Sequence, residues 1–219
     1  MATQAETRAP LNRDRILDAA LRLADEGGIE SLSMRKLGQA LGVEAMSLYN
    51  HVANKDDVIR GIVERVAFEI EPPSFSEEWD VSIRKSVMSA HEALQRHKWA
   101  CGLMMSPGHI VPERIRYMNL LLGRLREAGF LPELVYHAYH VLDAHIFGFS
   151  LWLTGHSLAG ADLANLAKQF MQSFPSDEYP HVAEHVEQHL TDGPHKSVSA
   201  FEFALDLILD GLKRMREAG

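Results

Sequence analysis

Ala45, Met46, Ser47, Tyr49, Asn50 and His51 place small, thioether, hydroxyl, amide and ring groups on one short stretch, and Lys55 follows closely. A hydroxyl or amide pairs with a base edge or a phosphate, a methionine lies against a thymine methyl group, and an ammonium meets a phosphate. These types predict contact with the major groove of double-stranded DNA. Ser33 and Arg35, a little upstream, complete the candidate DNA-binding set.

Such groups work only if short helices hold them. Ser33 stands where an N-cap belongs, and Leu37, Ala40 and Leu41 recur at helical spacing, which predicts a helix of about two turns buried on that face. Gly42 ends it by accepting a left-handed backbone, and Val43 then enters the core beside Leu48 and Val52. The second helix is therefore anchored on one side and leaves the groups named above outward. Upstream, Asn12 caps a helix whose buried stripe is Ile16, Leu17, Ala20, Leu21 and Ala24, with Leu11 as a staple and Gly27-Gly28 as its stop. Downstream, Asn54 caps a helix with Asp56 and Asp57 in its electropositive first turn and Val58, Ile62, Val66 and Ile70 along its apolar face. Residues 1–53 are thus expected to form a three-helix helix-turn-helix domain, joined by helix 54–70 to a body of residues 71–219.

Leu32-Ser33-Met34-Arg35-Lys36-Leu37, Leu41-Gly42-Val43, Ser47-Leu48-Tyr49-Asn50-His51-Val52 and Asn54-Lys55 resemble the N-terminal domain of the tetracycline-repressor (TetR) family of bacterial regulators. The resemblance implies operator DNA as partner, a helical C-terminal domain that binds an inducer, and a homodimer formed through the last helix and the long one before it. Phe201–Leu212 is similar to the family's C-terminal signature. With Glu127-Ala128-Gly129-Phe130 and Gly148 as register marks, the magnesium-binding side chains of the tetracycline-binding members would fall at Met104 and Trp152. Neither is a hard-metal ligand, so a more apolar or aromatic inducer is expected.

Composition agrees with a globular body. The chain has 219 residues, 46% hydrophobic and 24% charged, enough to bury a sizeable core. Its net charge of −8 is uneven: residues 1–65 hold nine Lys/Arg against ten Asp/Glu, and the rest carries most of the excess. Arg8, Arg13, Arg15, Arg35, Lys36 and Lys55 offer a modest phosphate footprint, making binding salt-sensitive and dependent on two heads. No apolar run approaches the ~20 residues of a membrane span and no signal segment opens the chain, so a cytoplasmic protein is expected. The single Cys101 forms no internal disulfide and is read as a small buried side chain.

Beyond Ile70 the pattern is helical, with breaks at Pro72-Pro73, Pro107-Gly108, Gly129, Gly155, Pro175, Pro180 and Gly193-Pro194, so the fold class is all-α. Helices are expected over 77–97, 112–128, 132–153, 162–174 and 199–216. Two of these segments, 132–153 and 199–216, carry apolar residues around more than one face, which calls for a partner chain. Phe149, Phe201, Leu205, Ile208 and Leu212 are the candidate dimer interface. Trp99, Met104, Tyr117, Met118, Leu121, Tyr136, Tyr139, His140 and Asp143 mix apolar surface with isolated polar groups and are the candidate ligand-binding set.

Other patterns carry less. Gly155-His156-Ser157-Leu158-Ala159-Gly160 has the outline of a hydrolase nucleophile elbow, but a helix rather than a strand precedes it and alanine replaces the second glycine. His181, His185 and His189 share one helical face, yet Glu184 and Glu187 mark that face as solvated. His137, His140 and His145 do not align on one face and are read as hydrogen-bonding or pocket residues. No catalytic residue, metal ligand or cofactor is assigned. The rival readings are a metal-sensing regulator using the histidines, and a helical small-molecule-binding protein or enzyme with an incidental helix-turn-helix.

Overall fold

The computed structural model describes residues 10–155, 163–173, 175, 177–188 and 199–218, and among them it is all-helical. Eleven α-helices run in order: α1 Arg13–Gly27, α2 Met34–Leu41, α3 Ala45–Leu48, α4 Lys55–Phe68, α5 Trp79–Arg96, α6 Ala100–Met104, α7 Pro112–Glu127, α8 Pro132–Gly155, α9 Leu163–Met171, α10 Pro180–Gln188 and α11 Ala200–Ala218. The all-α class holds. One short helix, α6 of five residues, was not foreseen, and Pro180, expected as a break, is the first residue of the helix that carries His181 and His185. Proline suits that position because the first helical N–H has no intrahelical acceptor. The nucleophile-elbow pattern at 156–160 and His189 lie outside the described residues, as does Arg8.

The described residues fall into two compact units, one within Met1–Pro72 and Ser89–Leu121, the other within Pro73–Met88 and Leu122–Gly219. In the first, the caps are those the sequence predicts: Asn12 accepts from the Arg15 N–H at 2.9 Å, Ser33 from Lys36 at 3.2 Å and Asn54 from Asp57 at 2.8 Å. The core is Ile16, Leu17, Leu37, Leu48, Val58, Ile62 and Val66, all under one-tenth exposed. Each such aliphatic side chain contributes about 1.5–3 kcal/mol relative to an exposed position. The stripes differ in detail from expectation. Ala40 is exposed, and Gly38 takes its buried place; Leu21 is half-buried, and Ala19 is inside.

The second unit packs α8 against α11. Trp79 meets Phe130 edge-on at 4.8 Å between ring centroids, and the Arg216 guanidinium lies over both rings. His145 on α8 stacks on Phe201 of α11 at 4.2 Å, with its Nε2 3.0 Å from the Phe201 carbonyl oxygen. Burial pushes the His145 pKa below its ordinary value, and the carbonyl contact only partly offsets that.

Candidate nucleic-acid interface

The reading segment is built from α2, α3 and the turn after it. Gly42, at φ 68° and ψ 38°, has the left-handed backbone the turn requires, and Val43 N–H donates to the Gly38 carbonyl at 2.9 Å. The two helices touch backbone to backbone at Gly38. A Cβ there would stand 2.8 Å from the Val43 carbonyl oxygen and 3.2 Å from the Ala45 nitrogen. Helix α3 is a single turn, and Leu48 is its one fully buried residue. A helix this short is marginal in water, so its position comes from packing rather than propensity. The chain then closes around Leu48, whose carbonyl accepts from the His51 and Val52 N–H groups at 2.9 and 3.1 Å.

Of the sequence-predicted site residues, Met46 is 75% exposed, Tyr49, Asn50, His51 and Arg35 are exposed, and Ser33, Ala45, Ser47 and Lys55 are half-buried. They lie on consecutive elements of one unit. Ser33 spends its hydroxyl acceptor on the α2 cap. Arg13 does not belong to the phosphate footprint: its guanidinium makes a two-pronged bond to Asp57, at 2.8 and 2.9 Å, that ties α1 to the first turn of α4. That bond, with help from the Ala53 N–H, holds the Asp57 carboxyl down at about 2. Arg65 on α4 reaches back to Asp14 at 3.0 Å and to Asp18. Ion pairs from the first and last turns of α4 thus join it to the N-terminal part of α1.

Sequence reasoning missed a second cluster in this unit. His97, 6% exposed, sets Nδ1 2.8 Å from Asp25 of α1 and Nε2 3.1 Å from Glu69 at the end of α4. Trp99 donates its indole N–H to the same Asp25 oxygen at 2.7 Å, and Arg96 pairs with Glu69 at 2.7 Å. These partners are 72 and 28 residues from His97, so no local spacing could have revealed them.

The predicted ligand residues divide between the two units. In the first, Met104, Tyr117 and Leu121 are buried and Trp99 and Met118 are half-buried; Tyr117 also borders an open cleft of about 130 Å3 with Phe68, Ile70, Glu113 and Arg116. In the second, Tyr139 is buried, Asp143 is half-buried, and Tyr136 and His140 are exposed with their rings 4.3 Å apart. The residues expected at the dimer interface differ in burial within the single chain. Phe201, Leu205 and Leu212 are covered by their own chain, and Phe149 and Ile208 are half-buried. Among the described residues, the large apolar side chains left exposed on these helices are Tyr136, Val141, Leu151, Trp152, Phe203, Leu207 and Met215.

A short, core-anchored helix on a three-helix head, followed by a helical body, is the architecture of a helix-turn-helix DNA-binding transcriptional regulator. The chain belongs to the tetR family. Residues 16–62 match the model for "Bacterial regulatory proteins, tetR family", and residues 72–216 match the "Tetracyclin repressor-like, C-terminal domain". Tetracycline repressor protein class D of Escherichia coli is 40% identical over 92% of this chain and 94% of its own. The HTH-type transcriptional repressor DrrR1 of Streptomyces coeruleorubidus is 29% identical, over 93% and 77%. Of another relative, an HTH-type transcriptional regulator of Saccharopolyspora erythraea at 34% identity, the chain spans only 54%. The crystal structure of Streptomyces coelicolor ActR in complex with actinorhodin superposes with a TM-score of 0.71 at 26% identity, covering 95% of this chain and 99% of that one. These relatives are transcriptional regulators, and the metal-sensing reading has no support among them. Among the described residues no helix is long and apolar enough to cross a membrane.

Proposed function

We propose that the protein acts in the cytoplasm as a homodimer whose two heads occupy successive major grooves of a palindromic operator, without catalysis or a metal cofactor. The carrying observation is the outward set Met46, Tyr49, Asn50 and His51 on a segment that spends only Leu48 on the core. Residues 1–53 read the DNA, helix 54–70 carries the motion, and residues 71–219 bind the inducer and the second copy. Two readable half-sites lie about 34–36 Å apart, so a small pivot of the head loses one of them and most of the affinity. Duplexes selected from a random pool by the protein supply the operator for testing. Tyr49→Ala and Lys55→Ala each weaken binding of the selected duplex while the protein stays dimeric. Loss of Lys55 removes one phosphate contact and lowers the slope of log affinity against log salt by about one unit, whereas loss of Tyr49 also changes which duplexes are preferred. Wild-type affinity in both variants at physiological salt excludes the docking.

The inducer is a largely apolar, ring-containing molecule held beside Tyr117, Met118 and Leu121. Met104 and Trp152 at the magnesium positions of the tetracycline-binding relatives support metal-free binding, and a relative solved with actinorhodin supports a small organic effector. Compounds that release the selected duplex are expected to bind in calorimetric titration with EDTA present. Met118→Arg, at a half-buried position that tolerates a longer side chain at less packing cost than Leu121, abolishes that binding and spares repression. Inducer binding that needs a divalent ion, or that Met118→Arg leaves unchanged, puts the pocket elsewhere.

A further inference from the structure

Buried histidines usually carry one ring proton and find one donor and one acceptor partner. His97 is placed differently. Both of its nitrogens face carboxylates, Asp25 from α1 and Glu69 from the end of α4, at 2.8 and 3.1 Å. An ionised carboxylate only accepts, so each ring nitrogen must donate, and a ring with two N–H groups is an imidazolium. The charges agree. Asp25 and Glu69 bring two negative charges, Arg96 from α5 brings one positive through its 2.7 Å pair with Glu69, and an imidazolium at His97 makes the set neutral. A neutral ring would leave an unbalanced carboxylate against an imidazole that is only 6% exposed. Trp99 adds a neutral donor to Asp25, and Lys98 lines an open groove of about 290 Å3 beside Asp25 and Arg96.

The place of this cluster gives it a task. Asp25 lies in the last turn of the first helix of the DNA-reading head; Glu69 caps the helix that leaves that head, and Ser89 of α5 donates its hydroxyl to the Glu69 carbonyl while accepting from the Glu71 N–H at 2.9 Å. We propose that His97 is a positioning residue for operator binding, acting as a doubly protonated imidazolium that fastens α1 to the end of α4, so that affinity for DNA is linked to protonation of this one ring. The latch is complete when the ring is charged and loses one of its two bonds when the ring loses a proton. Operator affinity is therefore expected to fall as the pH is raised, read between about pH 6 and about pH 8.5.

The test measures, by fluorescence anisotropy, binding of the full chain to a selected duplex over that range. The informative quantity is the difference between wild type and two variants. Glu69→Gln offers the ring an amide that can accept from or donate to it in either state; it keeps affinity at about pH 6 and flattens the pH profile. His97→Gln lacks a charged form and gives a weaker, flat profile. Wild type is expected to lose about tenfold more affinity across the range than either variant, and equal slopes overturn the proposal. Nitrogen-15 spectra of the histidine rings, with His97 assigned from His97→Gln, read the charge with no DNA present: two N–H groups at about pH 6 support the latch, and a single neutral tautomer overturns it. The spectra decide the latch even if no duplex is bound, and failure to bind any duplex counts against the DNA reading alone.

Discussion

Gly38→Val abolishes retention of the selected duplex while the protein keeps its helical content and its dimeric state. The reason is geometric. The new side chain's first carbon falls 2.8 Å from the Val43 carbonyl oxygen and within 3.3 Å of the Ala45 backbone, and backbone cannot swing aside as a flexible side chain can. Helices α2 and α3 must part, and a four-residue α3 has no stability of its own with which to keep its aim. Misplacing two or three base contacts worth about 1–3 kcal/mol each lowers affinity by about 100-fold or more. Gly38→Ala is the smallest change with the same clash and gives a smaller loss in the same direction. Anisotropy with circular dichroism decides the matter: a folded Gly38→Val protein with wild-type affinity means that the contact between α2 and α3 does not set the reading geometry.

Leu207→Glu combined with Phe203→Glu yields folded monomers that have lost operator binding. Both positions are about three-fifths exposed in the single chain, on the α11 flank that its own core leaves bare. At an apolar interface between copies, each introduced carboxylate costs about 2 kcal/mol or more. The two-fold symmetry repeats that cost on the partner, so the dimer weakens by more than about a thousandfold. Leu205→Glu is the contrasting control. Leu205 is fully buried within its own chain, so a carboxylate there lowers the melting temperature rather than simply separating the copies. Sedimentation velocity and thermal melts separate the two effects; a Phe203→Glu/Leu207→Glu protein that remains dimeric excludes this face as the interface.

The contrast between Leu205 and Leu207 also marks where the sequence stopped being legible. A cap is a local bond between residues three apart, so Asn12, Ser33 and Asn54 could be assigned from the sequence, as could the left-handed turn at Gly42. Helix α11 has apolar residues on both flanks, and a periodicity of 3.6 identifies the helix without saying which flank meets its own core. Gly38 was passed over for Ala40 because burial by backbone approach leaves no apolar side chain to count. Short α6 lacks the length for a period to register. The bonds of Arg13 to Asp57, 44 residues away, and of His97 to Asp25 join elements whose adjacency only the folded chain creates.

Helix α3 and the turn after it divide their labour sharply: Leu48 is at 0% exposure, while Met46 stands at 75% and Tyr49, Asn50 and His51 are exposed. Exposed substitutions away from special backbone features usually change stability by less than about 0.5 kcal/mol. The residues proposed to choose the DNA are therefore almost free of the residues that keep the head folded. A lineage carrying this head can change its target sequence by point mutation without passing through unfolded intermediates, and a duplicated copy can acquire a new set of genes before it acquires a new effector.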